Sequence, residues 1–158
     1  KIPIEYCSKF KLGWCPIGSQ YPLHMIVPVY LHGRQVSFVA VDPSTDGKYL
    51  MCPDNKAVVP KRNIVYGLDN HKGNRVVLVE GLTDKWRIGN SAVALLTKNW
   101  KVSQLTLIRR TLGKYIHPVV VLDADAKREA EKLVAWLRTM YDACTLVTLN
   151  EHEKDPDL

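Results

Sequence analysis

Residues 76–84, Val76-Val77-Leu78-Val79-Glu80-Gly81-Leu82-Thr83-Asp84, decide the fold prediction. Four consecutive apolar residues, three of them valines, predict a short strand that is buried on both faces. The strand stops at Glu80, and Gly81 permits a tight turn before a second carboxylate at Asp84. This order places Glu80 at the carboxyl end of a strand, where open α/β sheets bind their ligands.

A second strand that ends in acids follows at Val119-Val120-Val121-Leu122-Asp123-Ala124-Asp125. Parallel strands joined by right-handed crossovers bring their carboxyl ends to one edge of the sheet. We therefore expect Glu80, Asp84, Asp123 and Asp125 to converge. Neighbouring carboxylates repel one another unless a cation neutralises them, and four hard oxygen ligands favour Mg²⁺ or Mn²⁺ over zinc.

The second half of the chain alternates between strand and helix patterns, which predicts a mostly parallel α/β sheet flanked by helices. Apolar residues at helical spacing indicate a helix that Ser103 caps, and another helix after Asp125. The predicted elements after the first strand are a helix over 83–88, a strand over 92–96, a helix over 103–112, a helix to about residue 140 and a strand over 144–149.

The first half has a different pattern. Two runs rich in β-branched residues, 26–31 and 35–41, flank His32-Gly33-Arg34, which predicts an antiparallel hairpin. Turn residues fill 42–47, and a short strand is expected from Lys48 to Cys52. These features predict a small α+β subdomain before the parallel sheet.

The strand that ends in EGxxD, followed by a strand that ends in DxD, resembles the TOPRIM domain of bacterial-type primases, topoisomerases and several nucleases. Weaker motifs before it resemble the N-terminal subdomain of bacterial and phage-type primases. Their counterparts here are Ile26-Val27-Pro28-Val29 with Gly33, Lys48-Tyr49-Leu50 and Val65-Tyr66-Gly67. Together the motifs cover most of the chain and resemble a primase catalytic core.

The resemblance implies a primase-like subdomain over residues 1–74, a TOPRIM metal-binding domain over 75–150 and an acidic tail over 151–158. It implies a DNA-directed RNA polymerase that makes short RNA primers in the presence of Mg²⁺ or Mn²⁺. In that role Asp123 and Asp125 are the principal metal ligands and Asp84 supports them. Glu80 either binds metal or accepts a proton.

Three positions differ from the family pattern. Val41-Asp42 stands where an arginine is usual, Lys127-Arg128 where Ala-Gly is frequent, and Leu95-Leu96 where a glycine is expected. Two alternatives stay open: a TOPRIM nuclease that uses water as the nucleophile, and a non-catalytic module that binds single-stranded nucleic acid, which the missing arginine favours.

Charge also favours a nucleic-acid ligand. The net charge is +6, and the last eight residues hold four acids and one lysine, which leaves 21 basic and 12 acidic residues, a net charge of +9, in the rest. Residues 85–122 contain seven cations and no acid, and a basic body beside an acidic metal site suits nucleic acid or polyphosphate. The candidate contacts are Lys48, Lys61, Arg62, Lys85, Arg109 and Arg110.

The resemblance implies a single-stranded DNA template and ribonucleoside triphosphates as partners, with a replicative helicase as a further candidate. No apolar run approaches the roughly 20 residues of a membrane helix, and no signal peptide is visible. Four cysteines without a CxxC pair predict reduced, mostly buried thiols and a cytoplasmic location, that of the host if a phage encodes the chain. We expect Trp86 and Trp100 to pack as core or rim aromatics rather than to stack on bases.

Overall fold

The computed structural model describes residues 4–44, 49–97 and 99–149. The chain divides into two compact units after residue 61. In the described part of the chain, none of the helices has the length and apolar character needed to span a bilayer. All four cysteines are free thiols, and two of them, Cys52 and Cys144, are buried.

The first unit contains a four-stranded antiparallel sheet, which includes the predicted hairpin. Val27 pairs with Val39 across the hairpin, and both are fully buried. His32 and Gly33 make the turn with φ of 53° and 74°, a conformation that a glycine adopts without strain. The elements are α1 (Glu5–Lys9), β1 (Gly13–Trp14), β2 (Met25–Leu31), β3 (Arg34–Val41) and β4 (Tyr49–Met51), and the strands lie in the order β1-β2-β3-β4.

The second unit is a parallel sheet with helices between its strands, so the predicted fold class is confirmed. The strand order is β6-β5-β7-β8, and each neighbouring pair is parallel. Crossovers between parallel strands are right-handed in nearly all proteins, so from the strand order we infer that α2 lies on one face of this sheet and α3 and α4 on the other. The elements are β5 (Arg75–Val79), α2 (Leu82–Ile88), β6 (Ala92–Ala94), α3 (Val102–Leu112), β7 (His117–Val121), α4 (Lys127–Arg138) and β8 (Thr145–Val147).

The start of α3 differs from its prediction. The N-cap is Lys101, and its backbone N–H donates to the side chain of Gln104 at 2.9 Å, so the prediction that Ser103 caps this helix was wrong. The Ser103 hydroxyl instead donates to the carbonyl of Arg62 at 2.7 Å. Gln104 is fully buried and its Nε2 also donates to the carbonyls of Ile64 and Leu95, which ties α3 to two loops. A buried, fully bonded amide stabilises one arrangement of these loops.

Trp86 packs in the core, as predicted. It is 3% exposed, and its Nε1 donates to the Tyr66 hydroxyl at 2.9 Å. Burial raises the pKa of Tyr66 to about 12, although the hydrogen bond from Trp86 opposes that rise. Trp100 is partly buried, and its Nε1 donates to the carbonyl of Glu129 at 3.2 Å. Both rings therefore have structural partners.

Candidate active site

The strand order creates a crevice between β5 and β7. The chain leaves β5 towards β6 on one side and then crosses to β7 on the other, so the direction of winding reverses between these two strands. In open parallel sheets ligands bind at such a reversal, outside the carboxyl ends of the strands. The topology therefore points to this crevice without reference to side chains.

The structure brings Glu80 and Asp123 to this crevice. Leu78 of β5 lies opposite Val120 of β7, so Glu80 is two residues and Asp123 three residues beyond that pair. At about 3.3 Å per residue, and with about 4.8 Å between neighbouring strands, both acids lie just above the ends of adjacent strands. Each is partly exposed. Asp125 follows on a 3₁₀ turn, Ala124–Ala126, and its side chain is exposed. We call Glu80, Asp123 and Asp125 the acid edge.

Asp84 does not lie open at the acid edge. Its side chain is 5% exposed, and its Oδ2 accepts a hydrogen bond from the backbone N–H of Gly81 at 3.0 Å. Gly81 is the N-cap of α2 and directly follows Glu80. Asp84 therefore fixes the turn that carries Glu80, a structural role that the spacing of EGxxD alone does not reveal.

The loop after β6 also holds Glu80 in place. Leu96 donates its backbone N–H to the carbonyl of Glu80, and Leu95 donates to that of Val79, both at 2.9 Å. Leu96 has φ of 61°, the left-handed region in which glycine is favoured. This is where the family pattern has a glycine, so the leucine keeps the backbone shape at the cost of some strain next to the candidate site.

The donors at the acid edge suit a divalent cation that is shared with a ligand. Within residues 4–44, 49–97 and 99–149, no group of three or more His, Cys, Asp or Glu side chains lies close enough to hold a metal ion. Mg²⁺, however, is commonly bound by one or two carboxylates together with substrate phosphates. Glu80, Asp123 and Asp125 fit that pattern of hard oxygens, and the metal site stays a prediction.

A small cleft adjoins Asp123 at the ends of β7 and β8. Its polar lining consists of Asp123, Lys127 and Thr148, and its floor includes Leu122 and Leu146. Lys127 was not among the predicted site residues. The signal that could have found it is the replacement of the frequent Ala-Gly by Lys127-Arg128, which puts a cation at the first turn of α4, directly after the acids.

The structure describes five of the six predicted nucleic-acid contacts, and one of the five is buried. Lys61 and Arg62 are exposed on a 3₁₀ turn, Lys61–Asn63, and Lys48 lies outside the described residues. Lys85 was predicted to contact nucleic acid, but its side chain is only 1% exposed. The Lys85 ammonium donates to the carbonyl of Gly89 at 2.7 Å, and so it stabilises the end of its own helix.

Arg109 and Arg110 lie far from the acid edge. They belong to the last turn of α3, which starts at the carboxyl edge of the sheet and runs back for 11 residues, or about 16 Å. Both arginines are therefore at the opposite edge, where β7 begins. Arg109 is partly buried, with its guanidinium 5.1 Å from the centre of the Tyr141 ring, while Arg110 is exposed. The structure separates these two predicted contacts from the acids.

The burial of Lys85 gives a first prediction. Lys85→Met keeps the length of the side chain and removes its charge and hydrogen bond, so we expect a shift in the melting temperature with no change in the salt dependence of binding to single-stranded DNA. The control is Arg62→Met, which removes an exposed cation. A flatter salt dependence in Lys85→Met, without a change in melting temperature, would restore Lys85 as a phosphate contact.

Gly67 gives a second prediction. Its φ is 81°, and a Cβ added there would lie 2.3 Å from Cε of Lys85. Gly67→Ala therefore combines backbone strain with overpacking, and we expect it to lower the free energy of unfolding by about 2–4 kcal/mol. Gly113→Ala is the matched control, since φ there is 83° with nothing within 4 Å, and it should cost only about 1–2 kcal/mol. Chemical denaturation measures both, and equal losses would contradict the packing of Lys85.

Comparison with solved structures supports the fold. No protein-family profile matches the sequence, and no curated relative matches it either. Among solved structures, the chain is similar to the RNA polymerase domain of the Mycobacterium tuberculosis primase DnaG, with a TM-score of 0.77, 18% identity, and coverage of 99% of this chain and 67% of that one. It is also similar to a DnaG catalytic core, with a TM-score of 0.77, 21% identity, and coverage of 98% and 63%.

This chain therefore has the fold of the DnaG catalytic core. It spans about two thirds of the length of those two structures. At these identities the likeness establishes the architecture alone.

Proposed function

We propose that this chain is the catalytic core of a bacterial or phage-type DNA primase, which joins ribonucleotides on a single-stranded DNA template. The observation that carries the proposal is the position of Glu80 and Asp123 at the β5–β7 crevice of a fold shared with the primase DnaG over nearly the whole chain. On this proposal residues 75–150 are a TOPRIM domain, and single-stranded DNA and ribonucleoside triphosphates are the ligands.

The reaction transfers a nucleotidyl group. A 3′-hydroxyl attacks the α-phosphorus of the incoming triphosphate, an oxygen–phosphorus bond forms, and the bond to the pyrophosphate breaks. Divalent cations, when bound, would supply charge stabilisation at the attacking and leaving oxygens. Asp123 and Asp125 would hold the cation, and Glu80 would either bind it or accept the hydroxyl proton.

Other residues of the chain position these groups. Asp84 holds the Gly81 turn and so fixes the backbone next to Glu80. Lys127 lines the cleft beside Asp123 and would bind a phosphate there, because an exposed ammonium complements that charge. Lys48, Lys61 and Arg62 would contact phosphate or template.

The test is to incubate the protein with a single-stranded DNA template, labelled ribonucleotides and Mg²⁺ or Mn²⁺, and to separate the products by length. We expect short oligoribonucleotides that form only when the template is present. A parallel incubation with a labelled nucleic acid detects cleavage. Shortened substrate without new product would favour the nuclease, and binding with neither reaction would favour the non-catalytic module.

A further inference from the structure

A second basic surface lies at the edge of the parallel sheet opposite the acid edge. We call it the distal basic edge and define it by Lys72, Arg75, Arg110, Lys114 and Tyr115. All five are exposed, and Tyr115 is 83% exposed. None of these residues except Arg110 was among the predicted contacts.

Backbone hydrogen bonds place these segments together at the amino ends of the strands. The N–H of Lys72 donates to the carbonyl of Asn90, just before β6, and the N–H of His117 donates to that of Asn74, just before β5. Arg75 pairs in register with His117, three residues after Lys114. Lys72 and Lys114 lie in loops at this edge, Arg75 is the first residue of β5, and Arg110 is in the last turn of α3, so the four cations belong to neighbouring segments.

The charge balance at this edge is positive. Asp69 and Asp142 lie in the segments that adjoin it, whereas Arg109 and Arg138 add to the four cations. Arg109 is held against Tyr141, whereas its neighbours Arg110 and Lys114 are exposed. The Lys114 ammonium lies 4.9 Å from the centre of the Tyr115 ring.

We propose that the distal basic edge binds a single strand of nucleic acid, with Arg110 and Lys114 on phosphates and Tyr115 stacked on a base. A basic groove combined with exposed aromatic rings is the arrangement that binds single strands without sequence preference. The choice of nucleic acid over another polyanion rests on the proposed function. The two edges are about 16 Å apart, the length of α3, so one strand long enough to span them contacts both.

The first arm of the test measures charge. Each phosphate contact on a single strand contributes about −0.7 to the slope of log K against log salt. Arg110→Gln/Lys114→Gln should therefore flatten the slope by about 1.4 for an oligo(dT) of about 16 nucleotides, and lower its affinity about 25-fold at 0.1 M salt relative to 1 M. Lys132→Gln, which removes an exposed cation halfway along α4, is the control and should leave the slope unchanged.

The second arm measures stacking and separates a nucleic acid from an acidic protein. An abasic oligonucleotide of the same length has the same phosphates without bases. The wild type should bind oligo(dT) at least about fivefold more tightly than the abasic strand, and Tyr115→Ala should reduce that preference. If the preference is absent and only charge matters, the surface fits an acidic partner instead, and the proposal fails.

The result is independent of primer synthesis. An unchanged slope in Arg110→Gln/Lys114→Gln overturns the distal basic edge even if the wild type makes primers. Conversely, the expected losses of affinity in a protein that makes no primers leave this inference standing and overturn the proposed function. Melting curves of all variants identify any loss of affinity that comes from unfolding. The measurement on Tyr115→Ala does not depend on the substitutions of Arg110 and Lys114.

Discussion

Glu80→Gln should lower the rate of primer synthesis by at least about 100-fold while the protein stays folded. The substitution keeps the shape of the side chain and removes its charge, and positioned acid–base groups typically contribute 10²–10⁴-fold to a rate. The backbone of Glu80 would keep the hydrogen bond from Leu96, so the strand and its turn are not disturbed. The melting temperature should stay close to that of the wild type, because Gln has nearly the size of Glu and Asp84 still holds the turn at Gly81.

Labelled ribonucleotide incorporation and a melting curve measure the two effects on the same preparation. Glu131→Gln is the matched control, since it removes one exposed carboxylate from α4 and should leave both quantities as in the wild type. A Glu80→Gln protein that is destabilised and yet fully active would show that Glu80 is a structural turn residue.

Mg²⁺ or Mn²⁺ should stabilise the wild type and have much less effect on Asp123→Asn/Asp125→Asn. A ligand at about 100 times its Kd adds about 2.7 kcal/mol to the free energy of unfolding, which corresponds to about 5–11 °C in melting temperature for a chain of this size. We expect a larger shift when a ribonucleoside triphosphate is present, because its phosphates complete the ligands that the acid edge supplies.

The control for this comparison is Glu131→Gln/Asp142→Asn, which removes two exposed carboxylates that are not part of the acid edge. Its stabilisation by the cation should equal that of the wild type. Equal stabilisation of the wild type and Asp123→Asn/Asp125→Asn, with and without nucleotide, would contradict the assignment of the cation to these aspartates.

Much of the fold could be predicted because local patterns and tertiary structure agree. The valine run at 76–79 and the alternation that follows specify parallel strands, and the His32-Gly33 turn specifies the hairpin. The same patterns placed Glu80 and Asp123 at the carboxyl ends of adjacent strands. Chain connectivity then determined which two strands flank the crevice, and the sequence does not show that order directly.

Side-chain partners were harder to predict, because they depend on contacts distant in the chain. Lys85 resembles any surface lysine in the sequence, but the left-handed turn at Gly67 leaves room for its stem, and the carbonyl of Gly89 accepts a hydrogen bond from its ammonium. Gln104 displaced Ser103 from the cap because its longer side chain reaches the Lys101 N–H and two carbonyls of distant loops.

The position of Arg109 and Arg110 could in principle have been predicted from the sequence. A helix that connects two parallel strands must run antiparallel to them, so residues in its last turn lie at the edge where the next strand begins. The sequence analysis grouped these arginines with the acids because they are close in the chain. The direction of α3 instead places them about 16 Å from the acid edge.

The central claim is that the acid edge of this fold is a centre for nucleotidyl transfer on a single-stranded template. The most direct measurement compares the wild type, Glu80→Gln and Glu131→Gln in template-dependent incorporation of labelled ribonucleotides with Mn²⁺, at equal concentrations of folded protein. We predict short oligoribonucleotides from the wild type and Glu131→Gln and none above background from Glu80→Gln. Equal product from all three proteins, or product that forms without template, would contradict the claim.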